Sequence, residues 1–169
     1  ENILPTLISR GAIFQMQSYT TDELIEYGRT LELKDEEITP MLNYCYIPGD
    51  FNRTVESIKD RVAFVDFVNY LIDNIGTATL SNVLKVSKKI KTSQDGEGYD
   101  LTIFLQCLRS CLANKCKGTK NRDFVSKYLS WMELVSKVLK ELTFVSLNKS
   151  MLVDEVIIGG WQILCNYGN

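Results

Sequence analysis

The chain has 169 residues, of which 45% are hydrophobic and 24% charged, with a formal net charge of −2 and no histidine. Such a chain is one globular domain with enough apolar mass for a core, and fibrous, collagen-like and disordered classes are excluded. Without imidazole there is no Ser-His-Asp triad, no Cys-His pair and no mixed Cys/His zinc site.

Helical periodicity dominates, and no stretch alternates with period two between hairpin turns, so the class is all-α with about eight helices. An opening helix is expected from Leu4 to Gln17. Thr20, three residues before Glu23, has the spacing of a capping box and starts a second helix to about Leu33 with Leu24, Tyr27 and Leu31 on one face. Thr39-Pro40 suits an N-cap and first helical position, predicting a short helix from Pro40 to Tyr46 that ends at the turn signal Pro48-Gly49-Asp50. Arg53 to Ile75 reads as one long helix, nearly apolar all round after Val62, and is expected to be the central, buried one. Gly76 breaks it. Leu80, Val83, Leu84 and Ile90 continue a further helix, closing a first region over 1–91.

Residues 92–99, rich in Gly and polar side chains, are expected to be a loop. From Asp100 to Cys116 the positions Leu101, Leu105, Leu108 and Leu112 predict a one-sided amphipathic helix. Asp123 to Leu147 repeats the pattern with Tyr128, Trp131, Val135, Val138 and Leu142. Met151 to Tyr167 follows with Leu152, Val156, Gly160, Ile163 and Tyr167. The region 100–169 completes a single helical domain, expected to be a fragment of a longer chain.

No apolar stretch reaches the ~18 residues of a membrane span, and no signal peptide opens the sequence. Five cysteines, three of them (Cys107, Cys111, Cys116) within ten residues, predict reduced thiols in a cytoplasmic protein. Cys107, Cys111 and Cys116 approximate a ligand cluster, with Cys45 or Cys165 as a fourth thiolate. The two-residue spacing of a zinc knuckle is missing, so buried free thiols are expected and no metal or cofactor is assigned. Asn52-Arg53-Thr54 and Asn148-Lys149-Ser150 fit the glycosylation pattern only as a short motif. Asp35-Glu36-Glu37 suits a helix start, where carboxylates meet the positive end of the dipole.

Charge is unevenly placed. Residues 1–76 carry 6 Lys and Arg against 13 Asp and Glu, net −7, whereas 77–169 carry 13 against 8, net +5. Lys85, Lys88, Lys89 and Lys91 form one basic run, and Lys115, Lys117, Lys120 and Arg122 another. No aromatic interleaving or recognition motif accompanies them, so ordinary solvated turns, or an acidic protein partner, are preferred to nucleic acid. No Gly-rich phosphate loop or nucleophile elbow is present, and the chain reads as a non-enzyme.

Gln106-Cys107-Leu108-Arg109-Ser110 and Gln162-Ile163-Leu164-Cys165-Asn166 lie 56 residues apart, each late in an amphipathic helix, which suggests a stacked repeat. Phe104 to Lys115, followed by Asn121-Arg122-Asp123-Phe124-Val125, resembles the last helix of an armadillo repeat running into the next, and Trp161 to Asn169 resembles that helix one repeat later. The pattern is most similar to the armadillo-like domain of the ataxin-10 family. It departs from the family in its spacing, longer than the ~40–47 residues of an armadillo or HEAT unit, and in Ser110, where Asn is usual. The resemblance implies a right-handed helical stack, an interaction scaffold whose concave surface binds another protein or peptide, and contacts from Gln106, Ser110, Gln162 and Asn166.

A formin-like regulatory domain binding a small GTPase is the neighbouring reading. A rival resemblance rests on Ile158-Gly159-Gly160-Trp161 with Asn166-Tyr167-Gly168-Asn169, similar to the second homology region of the Bcl-2 family, and on Leu24-Ile25-Glu26-Tyr27-Gly28, similar to the start of the third. It departs at Arg29, where an acidic residue is expected. It implies an apoptosis regulator holding an amphipathic helix in a hydrophobic groove.

Overall fold

A computed structural model describes residues 17–91, 99–142 and 148–165. Among the described residues there are eight helices and no strand: α1 Thr21–Thr30, α2 Asp35–Met41, α3 Pro48–Ser57, α4 Arg61–Ile75, α5 Leu80–Lys91, α6 Leu101–Gly118, α7 Arg122–Glu141 and α8 Lys149–Cys165. The fold is all-α. The helix expected from Leu4 up to residue 16, residues 92–98 of the expected 92–99 loop, residues 143–147 of the helix expected from Asp123 to Leu147, and residues 166–169 lie outside the described residues.

The expected capping box forms at α1. Thr20 N–H donates to Glu23 Oε2 at 2.7 Å, and Glu23 N–H donates back to Thr20 Oγ1 at 3.3 Å. The next two helices start earlier than expected. Asp35, Glu36 and Glu37 fill the first turn of α2, with Lys34 N–H donating to Glu37 Oε2 at 3.1 Å, so Pro40 lies inside the helix, one residue before its end. Three carboxylates at a dipole's positive end outweigh one proline placed where few hydrogen bonds remain to lose. Pro48 is the first residue of α3 and not part of a turn, the position where its missing N–H costs nothing.

The single helix expected over Arg53–Ile75 is two. Ile58 takes an extended backbone while burying its side chain, and Asp60 restarts the chain as an N-cap, accepting from Ala63 N–H at 2.9 Å. An extended residue can reach the core as well as a helical one, so the apolar periodicity runs through the break without marking it.

The central helix is α6 and not the 53–75 stretch. Ile103, Phe104, Leu105, Cys107, Leu108, Cys111 and Leu112 are all buried, so its middle is apolar well beyond one face. It packs against α3, α4 and α7. Helix α4 buries only Phe64, Val68, Leu71, Ile72 and Ile75, leaving Val62 and Tyr70 exposed. At the opposite end of the chain α7 packs on α8, and α8 also carries α5. Ser87 of α5, 1% exposed, donates to Asp154 Oδ1 of α8 at 2.5 Å. The helices α6 and α8, which the repeat register sets side by side, both pack on α7 rather than along each other.

Candidate functional site: the groove between α4 and α5

Helices α4 and α5 are joined by four residues, 76–79, yet α5 packs on α8 rather than along α4. A groove of about 340 Å³ stays open between them. Leu71 and Ile75 of α4 and Val83 and Val86 of α5 give it an apolar lining, with Phe67, Tyr70 and Asn74 on the α4 side and Asn82 and Lys85 on the α5 side. Tyr70, 68% exposed, presents its ring on the α4 wall.

The closed end of the groove is fixed by α8. Trp161 Nε1–H donates to Ala78 O at 2.9 Å, Cys165 Sγ donates to Gly76 O at 2.8 Å, and Leu164 lies so near Gly76 that a β-carbon there would meet its Cβ at 3.0 Å. At the other end Lys89 Nζ stands 5.3 Å from the centre of the Phe67 ring, a cation–π contact from α5 to α4. Tyr99 stacks on the other side of that region, its ring 4.8 Å from Phe64 and 5.8 Å from Phe67. The groove is therefore a held, preformed shape.

Of the residues singled out from sequence, Lys85 lines this groove, Lys89 caps it, and Lys88 is exposed beside them on α5. Lys91 ends α5. The second basic run sits at the end of α6 and the start of α7, with Lys115 paired to Asp73 at 2.5 Å and Lys117, Lys120 and Arg122 exposed. Gln106 is half-buried on α6, its Nε2 3.5 Å from Asp50 Oδ2 and its Oε1 buried. Ser110 is half-buried on the same helix, Gln162 is exposed on α8, and Asn166 lies outside the described residues.

Residues Phe67, Tyr70 and Asn74 were hidden in a stretch that reads as buried all round. The signal that marks them is the i, i+3, i+7 spacing of aromatic and amide side chains within that run, one helical face with different chemistry from the rest.

The thiols behave as core atoms. Burial pushes Cys45 up to about 12, and its Sγ lies 3.4 Å from Thr54 Oγ1. The Cys107 thiol is held protonated by its hydrogen bond to Cys111 and by burial, and the same bond draws Cys111 down. Cys116 is half-buried, with its Sγ 4.0 Å from Val125 O. Among the described residues no three Cys, Asp or Glu side chains are grouped so as to hold a metal ion. No described helix is long and apolar enough to cross a membrane.

In comparisons with known proteins no family model matches the chain, and no curated protein or solved structure matches it either.

Proposed function

We propose that the chain is a non-enzymatic protein-interaction module whose partner, an amphipathic helix, docks in the concave surface between α4 and α5. The observation that carries this reading is a preformed apolar groove with an exposed aromatic wall, the usual form of a helix-in-groove site. Polar clusters elsewhere have structural uses: Thr20 with Glu23, Asp60 and Asp100 cap helices, and Glu37 Oε1 pairs with Arg61 at 2.7 Å.

A partner in the groove keeps the interaction-module part of both readings and lies between α4 and α5 instead of on the α6 and α8 faces that the armadillo-like register implies. The Bcl-2-like reading asks for an apolar trough, whereas the armadillo-like one asks for the polar positions Gln106, Ser110, Gln162 and Asn166, of which the first three do not line the groove. The Gln106 amide, turned toward Asp50, supports the groove over the α6 polar face as the place where a partner sits.

The test is an NMR titration of the isotope-labelled chain with amphipathic helical peptides. Shifts concentrated on Tyr70, Leu71, Val83 and Val86 are expected. Shifts centred on Ser110 and Gln162 would move the site to the α6 and α8 faces, and turnover of a substrate in a broad activity screen would reject the non-enzymatic reading.

A further inference from the structure

The five thiols of the chain do not share one environment. Cys107 is sealed in the core, whereas Cys111, one turn further along α6, lines a cavity of about 370 Å³ with Asn69, Asn114, Lys115, Thr119 and Tyr128. Asn114 is exposed, so the cavity reaches the surface. Hydroxyls and amides on its wall suit a small molecule that both donates and accepts hydrogen bonds. Burial holds Cys45, Cys116 and Cys165 up, and Cys107 is held up by its hydrogen bond to Cys111. Cys111 alone is drawn down, chiefly by accepting that S–H, against its own burial and helped by the Lys115 ammonium. On the core side Tyr44 is fully buried, its hydroxyl has no partner, and both thiols bear on its titration, so an O–H with nothing to donate to lies close to the pair. A buried polar atom left unpaired calls for an explanation.

We infer that Cys111 is a site of reversible oxidation by a hydroperoxide, its sulfenate oxygen held by the S–H of Cys107. The Cys111 thiolate attacks the hydroxyl oxygen of the peroxide: the S–O bond forms as the O–O bond breaks, sulfur loses two electrons and the peroxide gains them. The departing oxygen takes the proton of the attacked one and leaves as water or alcohol, and the sulfenate remains. Its oxygen is the acceptor that the site lacks, open to Cys107 S–H and to Tyr44 O–H. The pair does not close to a disulfide within the intact helix, because residues four apart have Cβ atoms about 5–6 Å apart and a disulfide needs about 3.5–4.5 Å. Cys107 therefore donates to the oxidised group rather than displacing its oxygen, and a thiol reductant returns Cys111 to the thiol with the oxygen leaving as water.

The experiment treats the intact chain with hydrogen peroxide in the presence of dimedone, which caps sulfenic acid. Trypsin cuts after Arg109 and so puts Cys107 and Cys111 on separate peptides for mass spectrometry. Cys111 is expected to be capped first, about tenfold faster than the more exposed Cys116 and Cys165. Larger alkylating reagents rank thiols by exposure, but a peroxide is small enough for thiolate character to decide. In Cys107→Ala the rate at Cys111 is expected to fall about tenfold, and in Cys107→Ser, where a hydroxyl donates in place of the thiol, to recover. Circular dichroism confirms that each variant is folded, and the order of oxidation in the unaltered chain tests the site without any variant. Oxidation of Cys116 or Cys165 ahead of Cys111 overturns the site. An unchanged rate in folded Cys107→Ala overturns the role of Cys107, and a 107–111 disulfide in the folded chain, seen as two tryptic peptides joined, overturns the held sulfenate.

Discussion

Trp131 of α7 and Gly160 of α8 share one space: a β-carbon on Gly160 would lie 2.0 Å from the indole Cε2. The same indole donates Nε1–H to Val156 O, one turn back on α8, at 3.0 Å. Close approach of the two helices therefore depends on the glycine and the tryptophan together. Gly160→Ala should lower stability by about 1–3 kcal/mol through overpacking, although Ala is the better helix former by ~1 kcal/mol. Thermal unfolding followed by circular dichroism measures it. Gly159→Ala is the control: its β-carbon meets Leu134 Cδ2 at 2.5 Å, the far end of a flexible side chain, and a smaller loss is expected. Equal melting points for wild type and Gly160→Ala would contradict the packing.

The break between α3 and α4 depends on Asp60 capping the second helix. Removing that acceptor by Asp60→Ala should cost about 1 kcal/mol in urea unfolding, the usual value of an N-cap. Were 53–75 one continuous helix, Ala at its middle would be neutral or stabilising, so the sign of the change separates the two arrangements.

These two sites show what the sequence discloses and what it conceals. The buried positions of α7 were legible because Trp131, Val135 and Val138 repeat on a helical face that packs one way. The α3–α4 break was not, because Ile58 serves the core equally well from extended backbone. The central role of α6 was likewise concealed, since Cys107 and Cys111 add apolar surface to a face that leucine spacing alone does not count. At the candidate site the lysines of α5 were visible as a basic run. Their opposite wall was not, because the gap between α4 and α5 arises from both helices being drawn to α8, a tertiary preference that no local pattern carries.

Thiol accessibility follows from the packing. Cys45 and Cys107 are fully buried, and burial for Cys45, and the hydrogen bond to Cys111 together with burial for Cys107, hold both thiols well above the ordinary range. Cys116 and Cys165 are only partly covered. Iodoacetamide labelling of the native chain at neutral pH should modify Cys116 and Cys165 first, with Cys45 and Cys107 reacting only on unfolding. Mass spectrometry of labelled peptides against time checks the order, and early labelling of Cys107 would contradict the placement of α6 at the centre.

Acid should loosen the first two helices before the rest. The Lys34 N–H and the Arg61 guanidinium hold Glu37 below its usual carboxylate value, and the Thr20 backbone and hydroxyl do the same to Glu23. A carboxylate lowered in the folded state contributes stability that is complete above its unfolded pKa, roughly 4.3, and is lost as pH falls through the folded value. Helicity and amide protection around α1 and α2 should therefore decline below about pH 4. Glu37→Gln should flatten that decline while lowering stability at pH 7, and an unchanged acid profile would show that the Lys34 and Arg61 contacts contribute nothing.

The last α8 turn decides whether the groove keeps its shape. Trp161 is 8% exposed and its indole N–H is bonded to Ala78 O, so the turn joining α4 to α5 is tied to a helix that begins some 70 residues later. Phenylalanine at this position keeps most of the apolar packing and removes the donor, leaving a carbonyl partly buried without it. Trp161→Phe should cost about 1–2 kcal/mol globally, the value of one hydrogen bond with its orphaned partner. The more specific effect is local. Released from α8, the 76–79 turn should exchange its amides faster, and α4 and α5 should be free to close on each other, burying Leu71, Ile75, Val83 and Val86 against their own neighbours. Peptide binding in the groove should then weaken by more than the stability loss explains, because a share of molecules no longer presents the open form. Hydrogen exchange at Thr77 and Ala78, measured beside peptide affinity, tests both halves of the argument: faster exchange with unchanged affinity would mean that α8 stabilises the fold without shaping the site.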